Sequence, residues 1–334
     1  MNISIYTITS ELHDKVAINQ ATKEFLGALD FEYDFKDSDY STYGDADLNL
    51  IYVRTGGTEG VFKKIQPLLM ERSSRPFYLL TSGKSNSLAA SMEILSYLNI
   101  NKLKGEIIHG DAAYISSRVK ELAQVESARK KLIGMRLGVI GAPSDWLISS
   151  IASPVAVKQK LGIEIVNIAI DEVVDAYNAI ADTPSDCATL AEKATTKATK
   201  EAVPGAVKLY YALKEVVSRH RLNGFTIRCF DLLGVVRNTS CYALARLNAE
   251  GIVAGCEGDI PTLLTMMITK AVTGVSGFQA NPSRIDPKTG EMLVAHCTIP
   301  LNMVTRYELD THFESGIGIG IRGYMTEGPV TIFK

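Results

Sequence analysis

The first 140 residues alternate between short apolar runs and longer segments with helical periodicity. The apolar runs predict strands at Ile3–Ile8, Leu48–Val53, Phe77–Leu80, and residues 106–108 and 137–140. The helical segments between them lie at residues 13–29, 60–70, 85–98 and 111–132. Short strands that are separated by helices of this length indicate βαβ units on a mostly parallel sheet.

The second half of the chain continues this alternation with less regular spacing. Strands are predicted at Glu164–Ile168 and residues 225–233 and 252–259, the last running out into a turn. Helices are predicted at residues 171–180, 186–200, 207–220 and 240–249. Pro204 is expected at a helix start, where its missing N–H leaves no bond unmade. The clearest helical stripe begins at Ile260, with Asp259 as its expected N-cap and Gly274 at its exit.

The helical period ends near Gly277, and strand-like patterns follow at residues 276–286, 291–300, 317–324 and 329–334. The sequence therefore predicts an α/β fold with two mostly parallel βα domains followed by a small antiparallel β domain. We place the domains at residues 1–134, 135–275 and 276–334.

Composition excludes several classes of protein. Lys and Arg total 35 against 37 Asp and Glu, a formal net charge of −2, so the chain lacks the basic surplus typical of nucleic-acid binders. No apolar run approaches the roughly 20 residues that span a bilayer, and the first residues do not resemble a signal peptide. The five cysteines are scattered and never spaced as C-x-x-C, which favours free thiols. We expect a cytoplasmic protein that binds neither nucleic acid nor membrane.

Polar groups follow predicted strands at residues 256–259, 281–283 and 295–297. Glu257 ends an apolar run, and a carboxylate there can bind a hard cation or move a proton between adjacent carbons. His296 lies in an otherwise apolar strand, where a hydrogen-bonded core role is favoured over a metal ligand. Asp259 is interpreted as a helix cap in preference to a catalytic acid.

Two glycine-containing loops, at residues 55–60 and 81–87, also follow predicted strands. A phosphate-binding loop is one interpretation of each. Neither loop has the spacing of a dinucleotide-binding or P-loop motif, so turns that lead into helices are the favoured interpretation.

Residues 225–334 resemble the metal-dependent L-fucose and L-arabinose isomerases. The resemblance rests on Cys-Glu-Gly-Asp at residues 256–259 before an amphipathic helix, a strand around Phe278, and Ala-His-Cys at residues 295–297. The segments at residues 312–316 and 328–331 also fit. The first 224 residues match only in their alternation of strands and helices.

The resemblance implies aldose–ketose isomerisation of a monosaccharide through an enediol, assisted by Mn²⁺ or another divalent cation. Glu257 corresponds to a catalytic, metal-binding glutamate, His296 to a metal-binding histidine, and Asn281 to the second acidic residue of the family. Asn281 is a departure, because an amide cannot ionise and offers only a neutral oxygen to a metal. The family's further histidine ligand lies late in a longer C-terminal domain, whereas the last histidine here is His312.

Three more residues are candidates for substrate binding. Arg228 and Asp231 lie in the predicted strand at residues 225–233, and Trp146 is the sole tryptophan. Core packing is favoured for Trp146 because large aromatic side chains are mostly buried, although a sugar can stack on an indole.

The resemblance also implies a homo-oligomer. The alternative function is that of a non-catalytic sugar-binding or regulatory relative that has lost the metal chemistry, and the amide at Asn281 motivates it.

Overall fold

The strands form two separate parallel sheets in the computed structural model, which describes residues 1–334. The chain divides into two units, Met1–Lys130 and Lys131–Lys334, with one of these sheets in each. This architecture confirms the predicted α/β class with mostly parallel sheets and small antiparallel additions. A boundary of a third domain at residue 276 stays a prediction.

The sheet of the first unit has five parallel strands in the order β2-β1-β3-β4-β5. The strands are β1 Ile3–Ile8, β2 Asp34–Asp37, β3 Leu48–Val53, β4 Phe77–Leu80 and β5 Gly105–Ile108. The helices are α1 Lys15–Gly27, α2 Glu59–Arg72, α3 Ser87–Ile100 and α4 Ala112–Leu132. All residues of β1, β3 and β4 are buried, which explains why most of them are apolar.

A buried carboxylate lies at the edge of this core. Glu126 is 3% exposed, accepts a hydrogen bond from the Tyr78 hydroxyl at 3.0 Å, and faces the Arg75 guanidinium at 3.4 Å. Arg75 also donates to the carbonyl oxygens of Ala46 and Asp47. The Arg75 guanidinium therefore offsets part of the free-energy cost of burying the Glu126 carboxylate.

We expect Arg75→Met to lower the free energy of unfolding by about 2 kcal/mol, because it leaves the buried Glu126 carboxylate with only the more distant Arg129 guanidinium, at 4.0 Å. Urea denaturation measures the change. The matched control is Lys120→Met, which removes a pair with Asp30 whose side chains are 51% and 93% exposed. That exposed pair should be worth less than about 0.5 kcal/mol. Equal effects of the two substitutions would contradict the buried-charge argument.

The sheet of the second unit has four parallel strands in the order β7-β6-β8-β9. The strands are β6 Arg136–Ile140, β7 Glu164–Ile168, β8 Gly224–Ile227 and β9 Val253–Cys256. The helices are α5 Pro154–Leu161, α6 Ile170–Ala179, α7 Cys187–Ala191, α8 Lys197–Arg219, α9 Phe230–Val236, α10 Cys241–Ala249 and α11 Ile260–Thr273.

Two antiparallel hairpins complete the second unit. They pair β10 Asn281–Ile285 with β11 Met292–Ala295, and β12 Arg306–Asp310 with β13 Gly320–Tyr324. None of the helices in the chain combines the length and the apolar character that crossing a bilayer requires.

The helix after β9 forms as its sequence pattern predicts. The Asp259 carboxylate accepts the Thr262 backbone N–H at 2.9 Å and the Thr262 hydroxyl at 2.8 Å, so Asp259 is the N-cap. Gly274 ends the helix in the left-handed conformation with φ +85°. The capping role that was favoured for Asp259 is confirmed.

The predicted strand at residues 225–233 is wrong in its second half. The strand ends at Ile227, and Phe230–Val236 is a helix with Asp231 in its first turn. The parallel partner β9 ends opposite Ile227 at Cys256, so residues beyond it have no neighbouring strand on that side. A short apolar run cannot by its period distinguish a strand from a buried helix.

The prediction of a helix start at Pro204 is also wrong. Helix α8 begins seven residues earlier, because Thr196 and Thr199 form a reciprocal capping box. Pro204 then lies inside α8, which buries a long apolar face that includes Val203, Val207 and Leu213. Burial of that face offsets the one backbone hydrogen bond that proline cannot donate. Residues 186–200 contain α7 and the start of α8 in place of one helix, and residues 329–334 form no strand.

Candidate active site

Three loops meet at the carboxyl end of the second sheet, where ligands collect in α/β proteins. They follow β6, β8 and β9. The Ser144 N–H donates to the Glu257 carbonyl oxygen at 3.0 Å, and the Gly258 N–H donates to the Ile227 carbonyl oxygen at 3.0 Å. These backbone bonds fix the loop after β9 against the two neighbouring loops.

The turn at Glu257 and Gly258 has an unusual backbone. Both residues are left-handed, with φ +68° at Glu257 and φ +69° at Gly258. A Cβ at Gly258 would lie 2.3 Å from the Ala142 carbonyl oxygen, so only glycine fits there. Glu257 is not a glycine, so its left-handed backbone conformation is strained. Strain of this kind clusters at functional sites.

The Glu257 carboxylate contacts two side chains and lies near a third. His296 Nε2 lies 3.5 Å from its Oε1, and the Trp146 indole N–H donates to its Oε2 at 3.1 Å. The Asn281 side chain also lies near enough to lower its pKa. The interactions with His296, Trp146 and Asn281 outweigh the desolvation of this largely buried carboxylate and hold the pKa of Glu257 below its usual range. Glu257 is therefore ionised and available as a base.

His296 is the buried partner of this carboxylate, with a side chain 6% exposed. Burial disfavours the imidazolium, but hydrogen bonds to Cys297 and Glu257 outweigh it and raise the pKa of His296 to about 10. Its Nδ1 lies 3.0 Å from the Thr298 hydroxyl oxygen. His296 is thus hydrogen-bonded and buried, as the core interpretation requires, and it also faces the candidate base.

Asn281 is the first residue of β10 and pairs with Ala295, the residue before His296. The hairpin therefore brings the Asn281 side chain and His296 to the same carboxylate. The three residues that the family resemblance selected lie together, although 39 positions separate Glu257 from His296 (296 − 257). Their catalytic and metal-binding roles stay predictions.

Arg228 is occupied by protein contacts. Its guanidinium lies 2.7 Å from Asp145 and 3.0 Å from Asp231, and it donates to the Pro143 carbonyl oxygen at 3.1 Å. Arg228 thereby ties the loop after β6 to the start of α9. Substrate binding by Arg228 and Asp231 stays a prediction.

Trp146 is not a core residue. Its side chain is 54% exposed, and its ring meets Phe230 edge-on with centroids 5.3 Å apart. The interpretation of Trp146 as mainly a packing residue is therefore wrong, because its indole borders solvent and bonds to Glu257. A substrate role for this residue remains a prediction.

A second polar cluster lies beside His296, and sequence reasoning missed it. Cys241, Cys297 and His312 are buried, and their ligand atoms lie within 4.8 Å of one another. A further thiol pair, Cys229 and Cys256, has its sulfur atoms 2.8 Å apart. All five cysteines are free, as predicted. The adjacency of Cys297 to His296 was the only signal in the sequence, since Cys241 is 56 positions away from Cys297.

A cavity of about 440 Å³ borders the same region of the second unit. Its lining includes His296, Cys297, Phe278 and the ion pair of Asp310 with Arg322. This volume is within the range of small-molecule sites, and the lining combines apolar and hydrogen-bonding groups.

The chain is similar in sequence to two curated enzymes of sugar chemistry. It is 21% identical over 263 residues to a sulfoquinovose isomerase of Alkalicoccus urumqiensis, covering 75% of this chain and 59% of the relative. It is 26% identical over 153 residues to a sulfoquinovose isomerase of Clostridium sp. (strain MSTE9), covering 45% of this chain and 33% of the relative. The chain is distantly similar to sugar isomerases. It spans less than two thirds of the length of either relative, and no protein-family model matches it.

Proposed function

We propose that the protein is an enzyme that interconverts an aldose and a ketose, with Glu257 as the group that moves the proton between C1 and C2. The observation that carries this proposal is the ionised Glu257 carboxylate, held in a strained turn by His296 and Trp146 at the carboxyl end of the sheet. The similarity to sulfoquinovose isomerases supports the same reaction class.

Glu257 acts on the open-chain form of the sugar. Its carboxylate removes the proton from C2 of the aldose, and the electron pair of that C–H bond shifts to form an enediol. The same carboxyl group then returns the proton to C1, which completes the ketose. A carboxylate is suited to both steps because its protonated form is a strong enough acid to give the proton back.

His296 is positioned to move the second proton. Its raised pKa makes it an imidazolium near neutral pH, so it can protonate the C1 oxygen as the enediol forms. The neutral imidazole can then accept the proton from the C2 hydroxyl. Asn281 donates and accepts hydrogen bonds, and it would position substrate hydroxyls beside Glu257.

The proposal includes Mn²⁺ or another divalent cation, which Glu257, His296 and Asn281 would bind. When bound, such a cation supplies a Lewis acid next to the sugar carbonyl. The donor chemistry fits a weakly held cation, because the set has one carboxylate, one neutral amide and one imidazole. As a ligand, His296 would use the nitrogen that otherwise carries its proton, so the two roles of His296 exclude each other.

Sulfoquinovose is the first substrate to test, since the relatives are named for it. We expect purified protein in D₂O to exchange the C2 proton of at least one sugar in a panel of sulfoquinovose, a pentose, a hexose and a 6-deoxyhexose. Nuclear magnetic resonance measures the exchange, with and without added Mn²⁺. Exchange that needs Mn²⁺ supports His296 as a ligand, and exchange in chelator supports it as a proton carrier. No exchange with any sugar under either condition would contradict the proposal.

The second candidate is a sugar-binding or regulatory protein without catalysis, which the neutral Asn281 favours. It predicts that a sugar from the panel raises the melting temperature while Mn²⁺ does not. Stabilisation by Mn²⁺ that is lost in Glu257→Gln would contradict it. A homo-oligomeric state and a cytoplasmic location also belong to the proposal, and light scattering tests the first of these.

A further inference from the structure

The buried cluster of Cys241, Cys297 and His312 assembles from three distant parts of the second unit. Cys241 is the first residue of α10, Cys297 follows β11, and His312 follows β12. The two sulfur atoms are 3.1 Å apart, and each residue is at most 6% exposed. Cys297 hydrogen-bonds to His296, but none of the three carries a proton in the transfers assigned to Glu257 and His296.

The His312 ring is held in a fixed orientation. Its Nδ1 lies 3.0 Å from the Ser315 hydroxyl oxygen and accepts the Ser315 backbone N–H at 3.3 Å. The ring also packs edge-on against Phe230 and stacks on Phe313. A ring nitrogen that accepts an N–H carries no proton, so Nε2 can bind a cation only in the tautomer whose Nδ1 donates its proton to the Ser315 hydroxyl oxygen instead. Donation of the second ring N–H to a neighbouring oxygen is the usual way in which proteins orient a metal-binding histidine, and the Ser315 hydroxyl oxygen is the acceptor within reach of Nδ1.

The donor chemistry selects the kind of ion. Two thiols and an imidazole suit Zn²⁺ and other thiophilic cations, whereas Mn²⁺ prefers oxygen ligands. Bond lengths of about 2.3 Å to sulfur and about 2.0 Å to nitrogen place the two sulfur atoms of a tetrahedral Zn²⁺ site about 3.8 Å apart and each sulfur atom about 3.5 Å from the nitrogen. The two sulfur atoms are 3.1 Å apart and would have to separate by about 0.7 Å, while no two of the three ligand atoms are more than 4.8 Å apart.

We propose that Cys241, Cys297 and His312 bind a thiophilic divalent cation such as Zn²⁺. The three side chains leave a fourth coordination position. Cys297 directly follows His296, so the bound ion would fix the segment that presents His296 to Glu257. The proposed site is distinct from the oxygen-rich set around Glu257 and does not depend on the isomerase proposal.

The test uses the full chain, purified under reducing conditions without chelator. We expect about one equivalent of zinc per chain by elemental analysis. After replacement by Co²⁺, we expect the strong near-ultraviolet absorption of thiolate–Co²⁺ charge transfer. Cys297→Ser and His312→Ala should each lose at least about tenfold in zinc affinity. The matched control is Cys187→Ser, which replaces a buried thiol outside the cluster and should keep full zinc content.

The wild-type spectrum keeps the test valid if a variant does not fold. Absence of zinc together with absence of the Co²⁺–thiolate band in the wild type overturns the proposal. Mass spectrometry of unreduced protein that finds Cys241 bonded to Cys297 and no metal also overturns it, and assigns the pair to redox chemistry instead. Zinc that remains bound at full affinity in both Cys297→Ser and His312→Ala places the ion elsewhere and has the same consequence.

Discussion

Glu257→Gln is expected to reduce kcat/KM for aldose–ketose exchange by about 10²–10⁴-fold, the range typical of a lost general acid–base group. The amide keeps the size and the hydrogen-bonding reach of the carboxylate, so the turn and its contacts with Trp146 can persist. What disappears is the ability to hold a proton between C2 and C1. The measurement is the rate of C2 deuterium exchange for whichever sugar of the panel the wild type accepts.

Two controls separate the chemistry of Glu257 from its surroundings. Glu327→Gln makes the same chemical change at an exposed position and should leave the rate unchanged. Trp146→Phe removes the indole N–H that contacts Glu257 while keeping the carboxylate, and should cost only about tenfold, the equivalent of about 1.4 kcal/mol. A Glu257→Gln enzyme within threefold of wild type would show that another group moves the proton.

The parallel strands were the most predictable part of the fold. A strand in such a sheet is buried on both faces and therefore mostly apolar, so β1, β3 and β4 stand out as short, largely apolar segments whose limits are visible in the sequence. Helix α11 was equally predictable, because its cap, its stripe and its terminal glycine are all local signals. The edge strand β2 has an exposed polar sequence and carries no such pattern.

The errors arose where tertiary context outweighs local preference. Helix α8 contains Pro204 because burial of its apolar face and the cap at Thr196 outweigh one missing bond. Helix α9 follows β8 directly because the sheet offers no partner to a longer strand. Strand β12 is defined by its pairing with β13, which local periodicity does not reveal.

The candidate site likewise has one part that the sequence predicts and another that only the tertiary structure reveals. Glu257 was identifiable because a charged residue at the end of an apolar run is unusual within the local sequence. Its bond to Trp146 joins residues 111 positions apart, and the Cys241–Cys297 contact spans 56 positions. Neither follows from spacing, since both depend on which strands are neighbours in the sheet and where the hairpins lie.

Gly258→Ala is expected to destabilise the second unit by about 3–4 kcal/mol, well above the median point substitution. Left-handed backbone alone costs an alanine about 1–2 kcal/mol relative to glycine. The added Cβ would also lie 2.3 Å from the Ala142 carbonyl oxygen and 2.8 Å from the Pro143 Cα. Both neighbours are backbone atoms that cannot rotate away, so the loop after β6 or the turn itself must shift.

Gly274→Ala is the control that measures the cost of the left-handed backbone without a clash, so its difference from Gly258→Ala is the steric part. Gly274 is also left-handed, with φ +85°, but a Cβ there meets no atom within 4 Å. The free energy of unfolding of Gly274→Ala, measured by urea denaturation, should therefore fall by only about 1–2 kcal/mol, and the variant should keep its activity. The shift forced by Gly258→Ala displaces Glu257 from Trp146 and His296, so any folded fraction of that variant should lose isomerisation as well. If Gly258→Ala and Gly274→Ala destabilised the protein equally, the expected clash would be contradicted. The close approach of the loops after β6 and β9 would then be wrong.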